Sequence, residues 1–153
     1  MNFKNDKEIL TLYPDTDVNR DGGNDQYREG LPIIERHAVT VIIEHPTEMQ
    51  VLLANWKQVE WCGFLTGGME DHDSVEKAVQ NEIREETGYK NISQIHVLDF
   101  TARGLFFHVI KNTNRLAHYH LFVAQLANLE KEVISKEEQK IAEFLWCPIS
   151  EVA

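Results

Sequence analysis

Apolar residues recur along this chain with two periods, and the switches between them mark where its elements begin and end. The β-branched run Val39-Thr40-Val41-Ile42-Ile43 predicts a central, largely buried strand from His37 to Ile43. His45-Pro46-Thr47-Glu48 has turn chemistry, and Met49 to Ala54 predicts a returning strand. Trp61 to Leu65 predicts a short third strand feeding the pair Gly67-Gly68. The period then becomes helical. Val75, Ala78, Val79 and Ile83 form one stripe, Asp73 or Ser74 opens the helix, Glu76 completes a capping pattern with Asp73, and Gly88 stops it. Strands follow at Ile95–Thr101, Leu105–Ile110 and His118–Leu126, then a polar loop from Asn128 to Lys140 and a last strand at Ile141–Cys147.

The ends are different in kind. Residues 1–32 are dense in turn formers (Tyr13-Pro14-Asp15, Asp21-Gly22-Gly23-Asn24-Asp25, Gly30-Leu31-Pro32), which predicts an extended or partly ordered arm. Ile9, Leu10, Leu12 and Tyr13 are its docking residues. Residues 33–153 are expected to form one α/β domain around a mixed sheet. Pro148 to Val152 reads as the start of a helix capped by Ser150, cut short by the end of the sequence.

Composition narrows the function. A chain of 153 residues supports one cored domain. A formal charge of −10 disfavours direct binding to a nucleic-acid backbone, but is compatible with a free nucleotide whose phosphates are carried by a cation. Cys62 and Cys147 make neither a disulfide framework nor a paired metal motif, and read as free thiols of a reducing cytoplasm. The first ten residues lack an apolar signal region, and no run approaches the roughly 20 apolar residues of a membrane helix. A soluble cytoplasmic protein is expected.

The densest chemistry lies in Glu82-Ile83-Arg84-Glu85-Glu86-Thr87-Gly88. Glutamates three and four apart on a helix are neighbours, so Glu82, Glu85 and Glu86 crowd their carboxylates on one side. Crowded carboxylates raise one another's pKa unless a cation sits among them. A hard divalent ion, Mg²⁺ or Mn²⁺, suits such oxygen ligands and commonly bridges to substrate phosphates. Upstream, Gly67-Gly68 lets backbone approach a ligand closely, and a Gly67 carbonyl can add a metal ligand.

Gly67 to Tyr89, GGMEDHDSVEKAVQNEIREETGY, resembles the signature of the Nudix hydrolases, G-x5-E-x7-R-E-U-x-E-E-x-G-U with U a bulky apolar residue. Gly67, Glu82, Ile83, Glu85, Glu86 and Gly88 fall on motif positions. Asp73 stands at the first acid, Asn81 at the arginine and Tyr89 at the last apolar position. The resemblance implies a Nudix-type α/β/α sandwich and a helix presenting Glu82, Glu85 and Glu86 as catalytic and metal-binding residues. It also implies metal-dependent hydrolysis of a diphosphate linkage in a nucleoside diphosphate derivative. The family's arginine orients the glutamates, so Asn81 bears on metal affinity and rate more than on fold. The general base is a box glutamate, here Glu85, or one from a later loop, here Glu137 or Glu138.

Around this core, Trp56 and Trp61 are candidates to stack on a flat substrate group, and Arg103, or Arg115, to clamp a phosphate. His118 and His120 share one strand face, where satisfied strand histidines are the plainer reading, metal ligands the sharper one, and a substrate-pocket role lies between. The proline expected after the box in ADP-ribose pyrophosphatases and the tyrosine of dinucleoside polyphosphate hydrolases are missing, so the substrate stays open. A second reading is a non-catalytic binding module. A weaker resemblance, carried by Arg28–Arg36, Trp56–Thr66 and Asn114–His118, is to Nudix-like modules embedded in some bacterial leucyl-tRNA synthetases, which would imply docking on a larger enzyme. A homodimer is the other assembly considered.

Overall fold

The computed structural model describes residues 8–12, 27–57, 61–69, 74–108 and 111–152, and for 8–12, Trp61 and Phe100 the backbone alone. Eight strands form one sheet: β1 (Glu8–Leu12), β2 (Ile33–Glu44), β3 (Gln50–Trp56), β4 (Trp61–Gly63), β5 (Leu65–Gly68), β6 (Ile92–His108), β7 (Thr113–Leu126) and β8 (Ala142–Pro148). The order is β1-β6-β7-β2-β3-β4, with β5 also paired to β2 and β8 to β3. Pairing is mixed: β2 runs parallel to β7 and antiparallel to β3 and β5.

Alternation sets the faces. Val39, Val41 and Ile43 on β2 and Phe122, Ala124 and Leu126 on β7 are buried, and all look toward helix α1 (Val75–Thr87). From the helix, Val79 and Ile83 meet them at zero exposure. Burying two such side chains contributes about 1.5–3 kcal/mol each. The result is the mixed α/β sandwich expected from the sequence.

The ends of α1 follow its local chemistry. Ser74 is the N-cap, accepting from Lys77 N, while Asp73 lies outside the described residues. Gly88 adopts φ 80°, which suits a residue without Cβ, and its N–H donates to Arg84 O at 3.0 Å. Tyr89, at the position where the motif asks for an aliphatic residue, is buried, and its hydroxyl accepts from Trp146 Nε1 at 3.2 Å. An aromatic ring is therefore accommodated because its polar tip has a partner.

Several boundaries differ from the sequence reading. β2 begins at Ile33, four residues before His37, because residues 33–37 continue the parallel ladder with β7. The two strands expected at Ile95–Thr101 and Leu105–Ile110 form one element, β6, with register shifts against β7 between Ile92 and Gln94 and between Val97 and Thr101; Val109 and Ile110 lie outside the described residues. Residues 136–141, read as polar loop and strand start, form a short helix, α2 (Lys136–Ile141), capped by Ser135. Ser150 caps nothing: Ile149–Glu151 is a 3-10 turn with Pro148 at its N-cap and no side-chain cap bond. Residues 8–12 pair parallel with β6, and Asn114, fully buried, holds the Arg28–Leu31 turn by donating from Nδ2 to the Arg28 and Leu31 carbonyls and accepting from Arg28 N. Tyr13 and the turn clusters at 14–25 lie outside the described residues.

Candidate active site

The carboxylates of α1 divide by direction. Glu82 is half-buried and turns toward β5, where a Cβ built on Gly67 would fall inside its carboxylate. The glycine at 67 thus vacates the volume that this side chain fills. Glu86, one turn on, is half-buried beside Glu82 and shares a side-chain hydrogen bond with it. Glu85 is exposed and lines a cleft of about 520 Å³ with Asn81, Arg84, Glu132 and Glu138.

Burial and then the Glu82 charge push the Glu86 carboxyl up to about 8, with Glu138 and Glu85 adding to the rise. Glu82 is raised as well, by burial first and Glu85 second. Among the described residues, no three His, Cys, Asp or Glu side chains stand in a ready-made metal cage. Glu82 and Glu86 relieve part of their mutual repulsion by sharing a hydrogen bond. A cation would relieve it better. The donor set is oxygen-only, crowded and partly desolvated, and it fits a hard divalent ion.

A later segment brings a fourth carboxylate. Glu132 N donates to Gly88 O at 2.8 Å, Arg84 Nε donates to Glu132 Oε2 at 2.8 Å, and Tyr89 bridges to Lys131. These ties anchor the segment to the end of α1, and α2 follows at once. Glu138 on α2 is half-buried and acts on both Glu82 and Glu86, whereas Glu137 is exposed. The sequence carried the signal in Ser135-Lys136-Glu137-Glu138: Ser135 Oγ accepts from Glu138 N at 3.1 Å.

Of the expected substrate-binding residues, Trp56 and Arg103 lie on the core side of the sheet. Trp56 shares its face with the core residues Leu52 and Ala54 and pairs with Ala142, where α2 leads into β8. Its register partner in the β3–β4 hairpin is Trp61, whose side chain lies outside the described residues. Arg103 is half-buried on β6 opposite His118. Arg115 points to the other face.

His118 and His120 are joined by a third imidazole that the sequence reading overlooked. His37 stacks on His118 at 4.8 Å and on His120 at 5.2 Å between ring centroids, and His37 Nδ1 stands 2.9 Å from His120 Nε2. Glu35 Oε1 meets His118 Nε2 at 2.5 Å. Burial, then His37 and His118, push His120 down to about 4. The rings are near-parallel, and the cluster is tied together by the His37–His120 contact and by Glu35 on His118. His37 was missed because only the parallel register of β2 with β7 brings it there.

A sequence profile described as "NUDIX domain" matches residues 35–153. The chain belongs to the Nudix family. No curated protein sequence matches it significantly. Among solved structures it is similar to the NUDIX domain of Shewanella oneidensis NrtR complexed with ADP ribose, at 14% identity and TM-score 0.57, covering 78% of this chain and 76% of that one. It is similar to the E. coli dihydroneopterin triphosphate pyrophosphohydrolase at 14% identity and TM-score 0.57, over 75% and 83% of the two chains. It also resembles a MutT NUDIX hydrolase from Burkholderia pseudomallei at 19% identity and TM-score 0.55, over 78% and 88%. At such identities the likeness is one of fold. No described helix of this Nudix chain is long and apolar enough to cross a membrane.

Proposed function

We propose that this Nudix protein hydrolyses a diphosphate linkage in a small nucleoside diphosphate derivative, with a divalent metal ion, Mg²⁺ or Mn²⁺, in the cytoplasm. The observation that carries the reading is the packing of Glu82 against Gly67 beside a Glu86 carboxyl raised to about 8. Four carboxylates pressed toward one another are costly unless a cation and an anionic substrate complete the site.

Glu82, Glu86, Glu85 and the Gly67 carbonyl would hold the metal, which neutralises phosphate oxygens and acidifies water. Glu85, exposed to the cleft, would take a proton from the attacking water, and Glu138 is the alternative base from the neighbouring helix. Half-buried Glu82 and Glu86 would hold the ion, whose charge would favour a phosphate beside them. Trp56, with Trp61, supplies aromatic surface for the nucleoside, and Arg103 supplies a guanidinium for the second phosphate. Water attacks phosphorus, the bridging P–O bond breaks, and the released phosphate leaves with that oxygen.

The test is chromatographic product analysis after incubation with Mg²⁺, wild type beside Glu85→Gln. The panel holds ADP-ribose, nucleotide sugars, NADH, dinucleoside polyphosphates and nucleoside triphosphates. Turnover in the wild type that is lost in the variant supports the hydrolase and names its substrate class. Asn81 at the family's arginine position favours one competing reading, a binding or accessory module. That module would retain ligand, turn nothing over and be indifferent to the substitution.

A further inference from the structure

The sheet face opposite α1 carries two arginines that belong to no site described above. Arg36 on β2 and Arg115 on β7 are diagonal neighbours, since Ile34 pairs with Arg115 and Arg36 with Ala117 in the parallel ladder. Both alternate with residues that face the core, which puts them on the outer side. Arg36 is close enough to depress the Arg115 guanidinium, although burial is the larger cause. Arg115 Nε is buried and has no hydrogen-bond partner among the described residues. None of the ion pairs among those residues involves Arg36 or Arg115.

The surroundings make this juxtaposition unusual for a chain of charge −10. Outward positions of β2 from Ile34 to Ile42, of β6 from Ala102 to His108 and of β7 from Arg115 to Val123 include no Asp or Glu. Among the described residues no ion pair offsets the like charge of the two guanidinium groups. Phe106, the register partner of Arg115 on β6, and Ile34, 48% exposed, flank the pair with apolar surface, and Tyr119 adds a phenolic oxygen.

We infer that Arg36 and Arg115 form a second anion site, distinct from the carboxylate site across the sheet, that binds a phosphoryl group. A planar fork of N–H donors matches phosphate oxygens, and two forks on adjacent strands supply charge for a dianion. The phosphoryl group removes the like-charge repulsion between the two guanidinium groups. Ile34 and Phe106 would contact the body of an ester.

The arginine Nε–Hε resonances of the whole, metal-free chain report on this directly, with Arg115→Lys identifying the Arg115 signal. Inorganic phosphate is expected to shift that signal saturably, and Arg36→Gln to weaken the effect about tenfold while leaving the fold intact, since Arg36 is exposed. Phenyl phosphate in place of inorganic phosphate distinguishes the sources: tighter binding assigns the site to phosphate esters, and equal binding to free phosphate. The inference is overturned if the shift is absent, if sodium chloride at equal ionic strength reproduces it, or if Arg36→Gln leaves it unchanged.

Discussion

The Glu82 carboxylate occupies the volume that a Cβ on Gly67 would need. Strand and helix thus interlock at a point where one partner must be glycine for the other to be a half-buried acid. Gly67→Ala is expected to expel Glu82 from this position and weaken Mn²⁺ binding about tenfold or more, as loss of a supporting contact does at metal sites. Titration followed by electron paramagnetic resonance checks this, and unchanged affinity would mean that Glu82 serves no metal.

The raised Glu86 pKa makes a prediction about metal-free stability. The folded state keeps a proton on Glu86 up to about pH 8, whereas the unfolded chain loses it near the ordinary 4.5. Between those values the folded state binds more protons, so stability falls as pH rises and levels off above about 8. Urea unfolding at pH 5.5 and 8.5 is expected to show this decline, and Glu86→Gln to flatten it. Added Mg²⁺ should stabilise more at the higher pH, where the carboxylates are ionised.

Glu138 acts on Glu86 from another helix. Replacing it with Gln should lower the pH at which Glu86 titrates, read from the carboxyl carbon resonance in the metal-free protein. A titration unmoved by Glu138→Gln would show that α2 does not present its acid to the box.

Gly88 is where α1 and the segment before α2 are fastened. Its φ of 80° disfavours any side chain, and a Cβ there would lie 2.5 Å from Glu132 O. Gly88→Ala is expected to destabilise the protein by about 1–3 kcal/mol, with strain at positive φ and displacement of Glu132 both contributing. Equilibrium denaturation measures it; a change within a few tenths of a kcal/mol would contradict this role.

What the sequence disclosed and what it withheld have a common physical origin. The stripe Val79–Ile83, the run Val39–Ile43 and the stop at Gly88 are local patterns whose period dictates their environment, and they stand where expected. So does the adjacency of Glu82 and Glu86, which helical spacing imposes. Glu138 and His37 are different. Glu138 reaches the box only because Glu132 is tied to Gly88 and Arg84, and His37 meets His118 and His120 only through a parallel register between strands about eighty residues apart. α2 escaped notice because it buries none of its residues and so writes no apolar stripe.

The central claim is that water attacks phosphorus at the carboxylates of α1. Its most direct test is a hydrolysis run in ¹⁸O-water with Mg²⁺ and the best substrate of the panel, followed by mass spectrometry of the products. The account predicts one ¹⁸O in a phosphate-bearing product from the wild type and none from Glu85→Gln. Label in a non-phosphate product, or equal incorporation by the variant, would contradict it.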